Sequence, residues 1–180
     1  MKAYNVPGYF PNGRSFEKDV LGKRIFFTQE QINRTPRLSY EASLAAAEAD
    51  AVASLRKGEW NPQRPPTRLG GQLLEAVQQA LRLSPFCRVE LVRTLGTPLD
   101  VLWCVDCFFR LVEKSGEEEK KRVIVTVDLT TNPKKFLSGQ FVTDFFLTPM
   151  DLYPEESLNA FAQGVANLLR KRYKRLQHAR

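Results

Sequence analysis

The sequence predicts an α/β chain of the α+β type, a three-layer domain with a central mixed sheet of about four strands flanked by helices. Two observations carry that expectation. Segments of helical period lie on both sides of a block of strand-like segments, and within that block the stretch Leu95–Lys135 alternates as a β-hairpin. Proline and glycine mark most of the breaks between segments, which is a third.

Residues Met1–Thr35 read as irregular. Tyr4, Tyr9, Phe10, Phe16, Phe26 and Phe27 are interleaved with Pro, Gly and the basic Arg14, Lys18, Lys23 and Arg24. Such an arm can stack bases and touch phosphates, as single-strand binders do, or it can pack across the body of its own domain. A helix is expected from the Ser39 cap through the alanine-rich run Ala42–Leu55 to Gly58. Asn61–Pro66 is a stiff connector. A second helix is expected over Gly71–Leu83, with Leu73, Leu74, Val77 and Leu81 as its apolar stripe and Pro85 stopping it. This divides the chain into an arm plus helix over 1–66 and a core over 67–180.

The first strand is Cys87–Leu95, and Gly96-Thr97-Pro98 turns the chain into the hairpin. Its arms are expected at Val101–Val112 and Arg122–Thr130, with the charged run Lys114–Lys120 as the turn. Gln140–Leu147 reads as a fourth strand, Pro149 and Pro154 bracket a loop, and a last amphipathic helix spans about Glu155–Leu176.

In both hairpin arms the odd positions are apolar. Val101, Trp103, Val105, Cys107, Phe109 and Leu111 match Val123, Val125, Val127 and Leu129, so both sets can share one core face. Asp106 and Asp128 then fall together on the other face. A turn centred near Glu117 places Asp106 opposite Asp128, and Cys104 opposite Thr130. Like charges facing across a sheet destabilise it by up to ~1 kcal/mol. A divalent cation is the simplest reason for such a pair, since magnesium takes carboxylate oxygens. The alternative is a solvated face on which the two acids point apart.

Composition bounds the function. The 180 residues suffice for one ordinary domain, and no stretch approaches the ~20 apolar residues of a membrane span. The polar N-terminus, broken by Pro7 and Pro11, predicts no secretory signal, so a soluble cytoplasmic protein is expected. Three cysteines argue against a disulfide framework. Cys104 and Cys107 form a CxxC within an expected strand, where they point to opposite faces; packed thiols fit better than a zinc site. The net charge of +7 is uneven: Arg170, Lys171, Arg172, Lys174, Arg175 and Arg180 crowd the last helix without an acid. That suits a polyanion such as nucleic acid, although basic residues also favour a helix C-terminus. Phosphate-loop, dinucleotide and GxSxG motifs are absent, and the only histidine is His178.

A helix carrying an acid, three strands as a meander, Val105-Asp106 at the second and Val127-Asp128-Leu129-Thr130 at the third together resemble the PD-(D/E)xK nuclease superfamily over about Leu69–Leu176. The resemblance implies a restriction-endonuclease-like fold and a metal-dependent endonuclease hydrolysing phosphodiester bonds in DNA, as in transposition, repair, restriction or phage DNA processing. It implies that Asp106 and Asp128, with the Leu129 carbonyl, hold magnesium or manganese. Glu75 corresponds to the acid that several members carry on the first core helix, and Asp100 in Pro98-Leu99-Asp100 rivals Asp106. Thr130 stands where the family has lysine, and a threonine hydroxyl supplies no cation. Lys134 or Lys135 would take that role by reaching back, as in members whose lysine has migrated. Arg170, Lys171, Arg172, Lys174 and Arg175 would track the nucleic-acid backbone. Two further readings remain open. One is an inactive nuclease-fold protein that binds nucleic acid or other subunits of a processing complex. The other is a structural subunit whose aromatic arm docks on a neighbour, in a defined oligomer.

Overall fold

The computed structural model describes residues 13–22, 28–82, 87–115, 118–132 and 142–178. The region expected to be irregular holds two helices, α1 (Gly13–Leu21) and α2 (Gln29–Arg34). Phe16, Val20 and Leu21 recur at helical spacing and are fully buried, and burial of that stripe drives α1 to form. Phe16 is thus a core side chain; Tyr4, Tyr9, Phe10, Phe26 and Phe27 lie outside the described residues.

Helix α3 (Tyr40–Arg56) starts where expected, with the Ser39 hydroxyl accepting from the Ala42 N–H at 3.2 Å. Helix α4 (Arg68–Leu81) begins earlier than its apolar stripe suggested. Thr67 is the N-cap, accepting from Gly70 N, and Arg82 ends the helix in the left-handed conformation. The Thr67 hydroxyl also bonds the Val20 carbonyl. Here α1 and α4 approach so closely that a Cβ on Gly70 would lie 2.6 Å from that carbonyl oxygen.

Strand β1 (Cys87–Arg93) ends before Leu95 because Thr94 is drawn into a turn. Where the first hairpin arm was expected to begin, the chain forms a short helix, α5 (Pro98–Trp103). Pro98 sits at its first position, where a missing N–H costs nothing, and Cys104 closes it with φ 54°. Val101 and Trp103 therefore do not extend the odd-numbered strand face, and Cys104 does not face Thr130. Strands β2 (Cys107–Ser115) and β3 (Glu118–Leu129) pair antiparallel from Cys107↔Val127 to Ser115↔Glu118, with a register shift after Glu113. Both arms run further into the charged segment than expected. Strand β4 is only Phe145–Leu147, parallel to β3; residues 142–144 are not strand, and 140–141 lie outside the described residues. Thr148 caps a short helix, α6 (Pro149–Leu152), where a loop was expected, and α7 spans Glu155–His178.

The sheet order is β1-β2-β3-β4, a meander followed by a parallel strand. Odd residues of β2 and β3, from Cys107 to Leu111 and from Val123 to Leu129, pack with α1, α4 and α7 around Trp60. The other face packs Val92, Leu99, Val105 and Phe108 against Ala47 and Ala51 of α3. The architecture is α+β, a four-stranded mixed sheet between helices.

Small side chains let α3 lie close, and charges fix it. Glu90, 2% exposed, is held by Arg88 Nε at 2.7 Å, by Gln63 Nε2 at 3.1 Å and by Arg110. Glu48 of α3 meets Arg110 at 3.5 Å and Arg122 at 2.8 Å. At the opposite layer Arg172 of α7 grips both carboxylate oxygens of Asp144 at 2.6 Å and donates to the Ile124 carbonyl. Asp144 in turn accepts from the Thr126 N–H at 2.9 Å.

Candidate carboxylate site

The β2–β3 ladder ends at Cys107↔Val127. Asp106 N donates to the Val127 carbonyl at 3.0 Å, one residue out of that register, so Asp106 is not the ladder partner of Asp128 that alternation suggested. The two acids nevertheless lie close enough at this end of the hairpin for the Asp128 charge to act on the Asp106 carboxyl. Asp106 is 7% exposed and Asp128 1%, so neither lies on a solvated face. The Leu129 N–H donates to Asp106 Oδ2 at 2.6 Å, a charge-assisted bond that fixes the carboxylate. The Thr94 N–H holds the Asp106 carbonyl at 3.0 Å.

Burial, then Asp128, then Asp100 and Glu17 push the Asp106 carboxyl well above the usual carboxylate range; the Leu129 N–H opposes them. Acids from α1, α5 and β3 thus raise Asp106 through their charge without converging on it. Asp100, the rival to Asp106, does not stand opposite Asp128. Its carboxylate accepts from Gly96 N at 2.9 Å and closes the turn into α5. Glu17 was hidden in the segment expected to be irregular; the Phe16, Val20, Leu21 spacing was the signal that could have revealed its helix. Full burial, then the Asp106 and Asp128 charges, raise the Cys107 thiol well above its ordinary value, so it stays protonated, a packed thiol.

Glu75 is not brought to the pair. It is exposed on α4, accepts from Gln79 Nε2 at 3.3 Å and lines a separate cavity of about 370 Å³ with Gln72, Leu152, Tyr153 and Glu155. Thr130 is buried, and its hydroxyl accepts from Asn132 N at 3.1 Å, closing the turn that follows β3. Lys134 and Lys135 lie outside the described residues.

The basic residues of α7 divide into two groups. Arg170 caps the C-terminus of α4 through the Ala80 and Leu81 carbonyls, and Arg172 makes the Asp144 clasp, so both are engaged within the fold. Lys171, Lys174 and Arg175 are exposed. Between them Tyr173 turns inward, its phenol pushed up to about 12 by partial burial and the hydrogen bond to Glu113. That contact places the end of α7 beside the turn end of the hairpin. Asp106 lies at the other end, roughly 23 Å along β2 at ~3.3 Å per residue.

Two buried carboxylates are oxygen donors of the kind magnesium takes, since it is bound through one or two carboxylates and otherwise keeps water or substrate oxygens. Among the described residues no group of three His, Cys, Asp or Glu converges, so a site closed by protein ligands alone is not formed there. Among them, too, no helix is long and apolar enough to cross a membrane. A scan of family models finds no match to this chain, and neither curated proteins nor solved structures match it.

Proposed function

We propose that the protein is a metal-dependent endonuclease with a restriction-endonuclease-like core, acting on DNA. The observation that carries this reading is that Asp106 and Asp128 are both buried at the open end of the β2–β3 hairpin, close enough for one charge to act on the other. The order α4, meander and parallel strand, with helices on both sheet faces, agrees with what the family resemblance implies.

Asp106 and Asp128 would hold magnesium or manganese, with the Leu129 carbonyl as a further oxygen donor. Such an ion supplies an activated water and neutralises charge on the scissile phosphate. The Leu129 N–H orients Asp106, and Asp100 and Glu17 raise the negative field that draws a cation inward. Lys171, Lys174 and Arg175 would bind the backbone at a distance. One strand reaching from them to the pair spans roughly 23 Å, about seven phosphates at 3.4 Å each.

A second reading, an inactive nuclease-fold subunit that binds nucleic acid, is favoured by one observation. The residue at the lysine position, Thr130, is buried and bonded into its own turn. Plasmid nicking and cutting in magnesium, manganese or EDTA separates the two. Cleavage that needs the metal and disappears in both Asp106→Ala and Asp128→Ala supports the nuclease. Salt-sensitive DNA binding by a folded protein without cleavage supports the subunit.

A further inference from the structure

Helix α7 carries more positive charge than its own end requires. From Ser157 to Arg180 the sequence holds no Asp or Glu, although acids are otherwise spread along the chain. The helix dipole favours cations in the last turn, which accounts for Arg175 and His178. Lys171 and Lys174 lie before that turn, and a surface helix ordinarily meets such charges with acids three or four residues away. Like charges gathered in this way repel one another until a polyanion neutralises them.

The helix end also stands clear of the body. Lys174, Arg175, Leu176, Gln177 and His178 are all exposed. At 3.6 residues per turn, consecutive residues over this length pass right round a helix, so the end has no buried side. The aromatic rings of α7 turn the other way: Phe161 is buried, and Tyr173 packs against the core and bonds Glu113. The exposed end therefore offers cations rather than rings for bases to stack on, and stacking is what single-strand binders use.

The same periodicity sorts the cations by direction. Lys174 and Arg175 point about 100° apart around the axis, and His178 falls between them. Lys171 lies one turn back on the Arg175 side. The end is thus a ridge with a cation on each flank. A helix with its side chains is ~10–12 Å across, and the major groove of B-DNA is ~12 Å wide with a phosphate backbone on either wall.

We propose that the end of α7 enters the major groove of a DNA duplex, with Lys174 on one backbone, Lys171 and Arg175 on the other, and His178 toward the base edges. The proposal rests on the nucleic-acid reading above and narrows its partner from any strand to a duplex.

The test is anisotropy titration in EDTA, where no cleavage occurs, of a short labelled DNA duplex, one of its single strands, and the RNA duplex of the same sequence. Wild type should bind the DNA duplex about 10-fold more tightly than either, since the A-form major groove is too narrow for a helix. Lys174→Ala and Arg175→Ala should each lower the duplex salt slope by about 0.9, and the double variant by about 1.8. On a single strand, which meets one flank, the double variant should lose only about 0.7. Arg68→Ala, at the opposite end of α4 from the Arg170 contact, should leave the slope unchanged. All variants should melt with the wild type, because the replaced side chains are exposed. Bound protein should protect guanine N7, in the major groove, from dimethyl sulfate and leave adenine N3, in the minor groove, open. Three results would each overturn groove docking: single-strand or RNA binding as tight as duplex binding, a duplex slope that the double variant keeps, or protection of N3 in place of N7. The plasmid assay then still decides the nuclease reading. A wild-type protein that binds none of the three nucleic acids would overturn both.

Discussion

Replacing Asp106 by asparagine should stabilise the metal-free protein at about pH 8, the reverse of the usual effect of altering a buried group. Two contributions oppose each other. The Leu129 N–H bond to Oδ2 survives on the amide oxygen but loses its charge assistance, a loss of about 1 kcal/mol. Against this, the variant no longer buries a charge beside Asp128. Exposed facing carboxylates already cost up to ~1 kcal/mol, and burial adds desolvation to the repulsion. We expect a net gain of about 1–2 kcal/mol, or roughly 2–8 °C in Tm for a chain of this size.

The pH dependence fixes the sign. Well below the unfolded value of about 3.9, Asp106 is protonated whether folded or unfolded, and the wild type bears no penalty. As pH rises through the window up to its raised folded value, the folded state keeps a proton that the unfolded chain has released, so wild-type stability falls. The advantage of Asp106→Asn should therefore grow from acid to alkaline pH. Magnesium at tenfold its dissociation constant should return about 1.4 kcal/mol to the wild type and little to the variant. Urea denaturation in EDTA and in magnesium, across this range, measures all three. A variant less stable than wild type at alkaline pH in EDTA would falsify the repulsive pair.

The charged anchor of α3 predicts a graded result in the same assay. Glu90→Ala removes the closer carboxylate of the half-buried Arg110, leaving it Glu48 at 3.5 Å, and should cost about 3 kcal/mol, whereas Glu90→Gln keeps hydrogen-bonding atoms in place and should cost about half as much; equal losses would show that packing rather than charge matters there. On α7, replacing Lys171, Lys174 and Arg175 together by alanine should lower the slope of log binding against log salt by up to about 2.7 without moving Tm. Arg172→Ala should instead lower Tm, since it breaks the Asp144 clasp; a fall in Tm for the triple variant and none for Arg172→Ala would reverse that assignment.

The hairpin was legible because odd–even alternation holds on both sides of a charged turn, and alternation with a turn centre fixes register. It failed at Pro98–Cys104 because Val101 and Trp103 alternate in a helix turn as they would in a strand. Thr97-Pro98 with Asp100 in the first turn was the helix-start signal that alternation masked. Helix α1 was lost among glycines and prolines, since its nine residues carry only three buried apolar positions. Spacing could bring the two aspartates to the same end of the hairpin, but the ladder stops one residue short of pairing them, and their burial depends on α1, α5 and the sheet meeting in space. Arg170 and Arg172 likewise read as free charge, because their partners Ala80, Leu81 and Asp144 are remote in sequence.

Among the described residues strand β4 covers only the last three residues of β3, and the rest of that strand's outer side would offer its backbone to a passing extended chain. Two side chains already stand there. Asp144 occupies the Thr126 N–H and Arg172 the Ile124 carbonyl, the next donor and acceptor a fresh strand would need. An incoming peptide would have to displace a two-oxygen ion pair before making its first bond. The contact that ties α7 down therefore also works as a plug against strand addition, so loosening the last helix would open this edge as well.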